Sequence, residues 1–567
     1  MKKILFYTIL FNFYFLKSQT INLNEGHIID YLRTSQQIGT FKSDLSFNLR
    51  PIHIGKNGIK INDSLFNSNE FSPKLITFSK GKGSVKVLPI DYNINYSSHH
   101  PYNRNNGSMI PSRGYQHIIS AGVFLELGPV SLQIKPEQVF SQNLNYDGFW
   151  GGHYDEIWAK KYSLWNNIDI PERFGEKSYK KFLIGQSSLR FNFKGLSFGV
   201  SNENIWWGPS KRNSIMMSNH ATGFKHFTFN TLKPFSTILG NFEWQFITGR
   251  LENSGFTPPN IERTYGGTLL YVPKENEIRE NDWRFIQALN ISYSPRWIKG
   301  LHLGYIRYLQ MYSAVYEGRY SWMKGNVGIL PIFSNLFRKS DPFENIEEQI
   351  DQGAGIYFRW LWEDSNAEVY AEYYYDDSKQ NLRDLLLDSD NARATTFGIS
   401  KAFINSKNKI FQFSWEWTQM EQSGNRLLRG GGSWYRHAFV KHGYTNNGEV
   451  LGASIGPGSN SHFLSLKKLN RKNIMELALE IVEQNNDFYY FAFESAKDFR
   501  RYWKDYNLHL KFDKKFNNVW GSINFLYSRS LNYQWELEDN ATPYYHPGRD
   551  VNNFHANIKL VYQIPIN

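Results

Sequence analysis

The sequence predicts an all-β chain: a closed antiparallel transmembrane β-barrel with a small N-terminal periplasmic or plug segment. Three observations carry that prediction. Apolar and polar residues alternate with period two over stretches of about ten residues. Short turns and long polar segments alternate along the chain, as they do in outer-membrane barrels. The N-terminus reads as a secretory leader.

The leader comes first. Lys2 and Lys3 form a basic n-region, residues 4–16 an apolar core, and Ser18 a small residue suited to cleavage before Gln19. Residues 1–18 are therefore expected to be removed as a signal peptide. The 567 residues exceed what one compact soluble core usually holds. A mean hydropathy of -0.52 excludes a bundle of transmembrane helices, and no later apolar run approaches the ~20 residues such a helix needs. A barrel escapes that test because only alternate residues face lipid. Aromatics make up 17% of the chain, which suits girdles at two membrane interfaces; a carbohydrate-binding β-sandwich would share that richness. Zero cysteines exclude a lipoprotein anchor, disulfides and thiolate metal sites. The formal charge of +12 is spread rather than run together. On an exported chain it points to acidic polysaccharide or lipopolysaccharide as partners, not to nucleic acid.

The elements follow in order. Residues 19–84 form the N-terminal segment, with Ile28, Ile29, Leu32 and Ile38 marking an amphipathic helix over 25–38. The barrel is expected over 85–567, beginning with a strand near 85–96. Val130, Leu132 and Ile134 alternate with Ser131, Gln133 and Lys135 after Gly128-Pro129. Leu189, Phe191 and Phe193 alternate with Arg190 and Asn192, then Lys194-Gly195 turns the chain into Leu196, Phe198 and Val200. Further on, Ile356, Phe358, Trp360 and Trp362 share a face, and Val369, Ala371, Tyr373 and Tyr375 oppose Glu368 and Glu372. Phe411, Phe413, Trp415 and Trp417 oppose Gln412, Ser414 and Glu416. Met475, Leu477, Leu479 and Ile481 oppose Glu476 and Glu480, and the same pattern recurs over 506–512 and 554–564. Short turns fall near 128, 194, 297, 364, 407, 470 and 515, with long segments such as 137–186, 203–236 and 421–461 between them. Placing the short turns in the periplasm, and counting a strand near 263–272, gives about eighteen strands, an even number. A β-sandwich has no reason to alternate connection lengths so regularly.

The blocks beside the long loops are the most specific part of the chain. They read LSFNLRP (45–51), LPIDYNINYSSHHPYNRNNGSMIPSRGYQHIISAGVFLELGPVSLQIKPE (88–137), GQSSLRFNFKGLSFGVSNENIWWGPSKRNSIMMSNHATGFKHFTFNT (185–231), GNFEWQFITGRLENSGF (240–256) and LGASIGPGSNSHFLSL (451–466). Together they resemble the Wzi-type capsule assembly family of outer-membrane proteins over most of the mature chain. The resemblance implies an eighteen-stranded barrel, plugged on the periplasmic side, that acts at the cell surface as a lectin for exported polysaccharide. Some members carry a C-terminal helix implicated in ligand attachment, whereas the last expected strand of this sequence runs nearly to Asn567.

Candidate polysaccharide contacts lie where strands give way to long loops. Asn202, Glu203, Trp206 and Trp207 pair flat ring faces for sugar C–H groups with hydrogen-bonding groups for hydroxyls. The other role open to the same residues is packing an inward-folded loop, to which Asn219, His220 and His226 would also belong. Trp434, Tyr435, Arg436 and His437, with Lys441 and His442, combine rings with cations suited to an acidic glycan. Trp150, Trp158, Trp165 and Trp322 also sit in loops.

Inward glutamates are ordinary for a barrel lumen. His99-His100 lacks a helical i, i+4 partner and an acidic companion, so no metal or other cofactor is expected. The chain is expected to be a monomeric, non-enzymatic polysaccharide-binding protein of the outer membrane, acting in capsule or exopolysaccharide assembly and attachment. The alternative is a diffusion channel or glycan-uptake porin.

Overall fold

The computed structural model describes residues 19–23, 26–55, 58–59, 74–79, 82–273, 283–316, 330–333, 349–376, 382–405, 409–422, 432–469, 473–493, 499–538, 542, 544 and 547–565. The leader and Trp322 lie outside the described residues.

Eighteen antiparallel strands form one closed sheet. In chain order they are β1 (Gly83–Ser97), β2 (Gly114–Leu127), β3 (Val130–Ile134, continued by Glu137–Ser141), β4 (Tyr179–Leu183, continued by Ser188–Phe193), β5 (Leu196–Ser201) and β6 (His226–Thr231). There follow β7 (Gly240–Leu251), β8 (Arg284–Pro295), β9 (Leu301–Tyr312), β10 (Asp351–Trp362), β11 (Ala367–Asp376) and β12 (Arg393–Ile404). The last six are β13 (Ile410–Gln419), β14 (Asn460–Leu469), β15 (Asn473–Glu483), β16 (Lys504–Phe516), β17 (Val519–Leu531) and β18 (Val551–Tyr562). Each pairs with the next, and β18 returns to β1 in the register Ala556↔Tyr96 to Tyr562↔Ile90, so the sheet closes on itself.

The polarity of the wall is inverted relative to a soluble sandwich. On β15, Met475, Leu477, Leu479 and Ile481 point outward and are between 37% and 52% exposed, whereas Ala478, Glu480 and Val482 are buried in the lumen. An apolar outer belt over a polar interior is stable only against lipid. Short connections join strands at one end, as at Gly128-Pro129 and Lys194-Gly195. At the latter both residues have positive φ (48° and 90°), the left-handed pair that a two-residue hairpin turn requires.

The strand expected near 263–272 is not part of the wall. Thr264–Tyr265 and Thr268–Leu269 form a separate hairpin about Gly266-Gly267, within a long connection. The wall strand is instead His226–Thr231, which alternates over only six residues and which sequence reasoning left inside a long loop.

The N-terminal segment enters the lumen at the short-turn end. Its helix α1 (Gly26–Gln37) buries Ile28, Ile29 and Leu32. These belong to one apolar cluster with Leu469, Ile474, Trp520 and Val561 from β14, β15, β17 and β18. His27 stacks on Trp520 at 4.8 Å. Gln19–Ile21 pairs with Ile52–Ile54, folding the segment back on itself. A second, larger apolar cluster fills the other end of the barrel and includes Trp207, Ile247, Tyr308, Tyr374, Trp434 and Tyr444. Two short helices, α2 (Asp155–Trp165) and α3 (Asn486–Ala492), cap that long-loop end.

Candidate functional site

The connection between β5 and β6 does not project from the barrel; it folds into the lumen. Trp206–Trp207 pairs with Leu49–Arg50 of the N-terminal segment, in the register Trp206↔Arg50 and Trp207↔Leu49. From there the backbone runs along a row of inward carboxylates supplied by β11, β13 and β15. Gly208, at φ +93°, brings the chain so close to Glu372 that a Cβ would lie 2.5 Å from its carboxylate. The Ser210 N–H donates to Glu372 Oε1 at 2.9 Å, and its hydroxyl donates at 2.5 Å. The backbone N–H groups of Lys211, Arg212 and Asn213 converge on the Glu416 carboxylate at 2.7, 3.1 and 2.8 Å. Arg212 forks onto Glu480 at 2.9 and 3.0 Å.

Glu368 ties this loop to the N-terminal segment. It receives Lys211 Nζ at 2.6 Å, Arg33 Nε from α1 at 3.2 Å and Arg359 Nε from β10 at 2.8 Å, and it is fully buried. Arg33 also donates to Pro209 O at 2.6 Å, and Arg50 donates to Gly208 O at 2.8 Å. Gln37 Nε2 reaches Ser400 O at 3.0 Å. At the other side of α1, Lys467 Nζ lies 2.5 Å from Asp30. Burial alone would raise the Asp30 carboxyl, but the Lys467 and Lys211 ammonium groups overcome it and hold it well below the usual carboxylate range. Glu203, at the loop's entry, accepts from Arg190 Nη2 at 2.7 Å and from the Thr20 hydroxyl. Burial pushes it up, and Arg190 brings it below its ordinary value. Plug, loop and wall are thus one ionic lattice. Between plug and loop remain chambers of about 350 and 220 Å³, bordered by Asp30, Arg212, Lys467, Lys511 and Asn557.

In this arrangement the tryptophan block packs the inward-folded loop, the second of the two roles its residues allow. Trp207 is fully buried and its Nε1–H donates to Gln245 Oε1 at 2.8 Å. Trp206 is buried under the Arg50 guanidinium, 4.9 Å from its ring centre, and donates to Ser210 O at 3.1 Å. Glu203 is buried, and the half-buried Asn202 donates to Gly185 O at 3.0 Å. Asn219, His220 and His226 are buried in the same fold. Trp434 and Tyr435 are also buried: Tyr435 donates to Ile215 O at 2.8 Å and accepts from Ala453 N–H at 2.7 Å. The physical reason is common to all four rings. A wide lumen must be filled, and aromatic side chains fill it with the most apolar area per residue.

Arg436 and His437 stay half-exposed on the long-loop face. Arg436 Nη2 donates to Ser163 O of α2 at 3.3 Å, and His437 Nδ1 accepts from Val440 N–H at 2.9 Å. Beside them, Lys160 Nζ sits 4.2 Å from the ring centre of Phe491 on α3. Phe491, Phe439 and Tyr154 are exposed on this face. Beneath them, Lys161 lies among Phe149, Trp165 and Phe488, its Nζ about 5 Å from each ring. Burial lowers its ammonium to about 8. Sequence reasoning missed Lys160, Phe491 and the 210–213 latch; the available signal for the latch was a Lys-Arg-Asn run facing three inward glutamate rows. Among the described residues no group of His, Asp and Glu is placed to hold a metal ion.

Fold and lumen define the class: an eighteen-stranded outer-membrane β-barrel filled by its own N-terminal segment and an inward loop. The chain belongs to the capsule assembly protein Wzi family, whose model matches residues 98–276 and 330–541. Its backbone is similar to that of Wzi from Escherichia coli, described as an outer-membrane protein involved in group 1 capsule assembly and a carbohydrate-binding β-barrel. The identity is 11%, the TM-score 0.53, and the match covers 84% of this chain and 85% of that one. Weaker likenesses link it to OccAB2 of Acinetobacter baumannii (9% identity, TM-score 0.40, 84% of this chain and 98% of that). OprD, an outer-membrane protein of Pseudomonas aeruginosa, stands at 8% identity and TM-score 0.38, over 87% of this chain and 96% of that. A search of curated proteins returns no match.

Proposed function

We propose that this protein binds exported polysaccharide at its long-loop face and holds it to the cell surface, without catalysing a reaction. The observation that carries the reading is the locked lumen. A barrel whose interior is spent on a plug, a latched loop and an aromatic core has its loop face left for recognition, and the Wzi family supplies the context of capsule assembly. Short turns face the periplasm and long loops face outward, as connection lengths favour. The glycan contacts are Lys160, Arg436 and His437 with the rings of Phe491, Phe439 and Tyr154. The cations and the net charge of +12 favour an acidic polymer. The protein acts as a monomer.

Deleting the gene tests this. Surface polysaccharide is expected to appear in the medium while total synthesis is unchanged; polysaccharide that stays attached would sink the role. The channel reading meets the same lattice as an obstacle and predicts steady conductance in planar bilayers, where the binding role predicts silence.

A further inference from the structure

We infer that the wall carries a lipopolysaccharide site in a lateral gap between β4 and β7, at the long-loop end. The inference rests on the outward orientation of the long loops. β5 and β6 are six residues each, against twelve in β7 and β8. Six residues rise ~20 Å along the strand, and less along a tilted axis, short of the ~25 Å apolar band. β5 ends at Ser201 and β6 begins at His226, paired with each other. Beyond them β4 continues upward as Tyr179–Leu183, and among the described residues that segment pairs only with β3. On the far side, among the described residues, Arg250 and Leu251 of β7 have strand pairing only with β8. Two strand edges therefore flank a wedge that no strand ladder closes among the described residues.

The wedge is a groove rather than a hole. At its base the Asn202 N–H donates to Ser187 O at 2.9 Å, and the Arg250 N–H donates to Lys225 O at 3.0 Å. Behind it stands the inner hairpin of Thr445–Asn446 and Glu449–Val450. That hairpin is tied to the groove's two sides by Lys181 Nζ on Asn447 Oδ1 at 2.9 Å and by the Glu252 N–H on Asn446 Oδ1 at 3.0 Å. The open side is an apolar trough of about 760 Å³, lined by Ile134, Ile184, Leu189, Val200 and Phe227, each more than two-fifths exposed. That volume is within the roughly 300–1,000 Å³ of pockets that bury small ligands.

Two cations crown the trough, and they choose the occupant. Lys225 and Arg250 both line its upper end and are exposed. Arg250 lies over Trp283 at 5.2 Å and pairs with Glu252 at 2.6 Å, which orients it at the rim. Acyl chains below and paired phosphates above match the lipid A of lipopolysaccharide, the anionic lipid of the outer leaflet. A zwitterionic phospholipid would offer the two cations a single phosphodiester already accompanied by its own ammonium group.

Native mass spectrometry of the full chain in detergent tests the site with three probes: bisphosphorylated lipid A, dephosphorylated lipid A and phosphatidylglycerol. The wild type is expected to retain about one bisphosphorylated lipid A. Lys225→Ala with Arg250→Ala, both at the exposed rim, weakens retention about tenfold. Val200→Trp, which fills the trough from its outward face, abolishes it. Equal retention of phosphatidylglycerol or of dephosphorylated lipid A overturns the proposal, and so does unchanged retention in the double alanine variant. That variant decides the question even where Val200→Trp does not fold. The readout needs no polysaccharide, so failure of glycan binding leaves it intact, while an inverted orientation shows itself as preference for phosphatidylglycerol.

Discussion

Replacing Glu368 by alanine strips a fully buried carboxylate from three cations at once: Arg33 of the plug, Lys211 of the inward loop and Arg359 of the wall. Removing one partner of a buried pair and leaving the other charge unmatched costs about 3–5 kcal/mol. Here the cost falls on the locked state, because a released plug and loop can hydrate Arg33 and Lys211. Other ties stay in place, among them Gln37 to Ser400, Arg33 to Pro209 O, the Asp30–Lys467 pair and the Arg212–Glu480 fork, but none of them neutralises the charges that Glu368 leaves behind. The population of unlocked barrels should therefore rise by roughly two to three and a half orders of magnitude. In planar bilayers the wild type is expected to be silent and Glu368→Ala to show frequent openings, with heat-modifiable gel mobility reporting that the barrel itself is still folded. Glu368→Gln, which keeps the shape and one acceptor oxygen but turns an NH2 donor toward the cations on the other side, should fall between them. A folded Glu368→Ala barrel as silent as the wild type would refute the idea that this carboxylate locks plug to loop.

Three further outcomes follow from the same geometry. Trp207→Ala should lower stability by about 3–5 kcal/mol in thermal unfolding, since the ring is fully buried. Trp207→Phe leaves Gln245 Oε1 without its donor and should cost ~1–3 kcal/mol; an unchanged melting temperature in both would contradict the packing role. Burial holds the His53 imidazole down to about 3, neutral against Asn230 Nδ2 at 3.0 Å. Its folded value is below its unfolded one, so its contribution is present above the unfolded pKa of ~6.5 and is lost as pH falls through the window down to about 3. His53→Gln should thus be less stable than wild type at pH ~7 and close the gap by up to ~1.4 kcal/mol per pH unit below ~6.5; a gap independent of pH would reject this. Lys160→Ala combined with Arg436→Ala should weaken binding of an acidic polysaccharide about tenfold, and raised salt should weaken the wild type in the same direction. Binding insensitive to both would move the glycan site elsewhere.

The wall was legible because lipid outside and water-like polarity inside impose a strict period of two. The assignment of Met475, Leu477, Leu479 and Ile481 to the outside and Glu476 and Glu480 to the inside needed nothing more. The helix expected over 25–38 is found at Gly26–Gln37, since its apolar stripe has a helical period. His226–Thr231 was hidden because six alternating residues between a long connection and a turn carry a weak signal, while residues 264–269 mimic a strand and fold back at two glycines. The tryptophan block was ambiguous for another reason. A ring that stacks on sugar and a ring that fills a lumen are the same residue, and only the direction of the loop separates them. The direction is set at long range, where Lys211, Arg212 and Asn213 meet glutamates more than 150 residues away in the chain.

The central claim is that the loop face of a closed barrel recognises surface polysaccharide. The most direct test is calorimetric titration of the purified, detergent-solubilised protein with polysaccharide extracted from cells that make it. Saturable binding that fades with salt and is about tenfold weaker in the Lys160→Ala, Arg436→Ala variant, by a protein silent in bilayers, is the predicted result. A protein that binds none of that polymer yet conducts ions steadily would contradict the account.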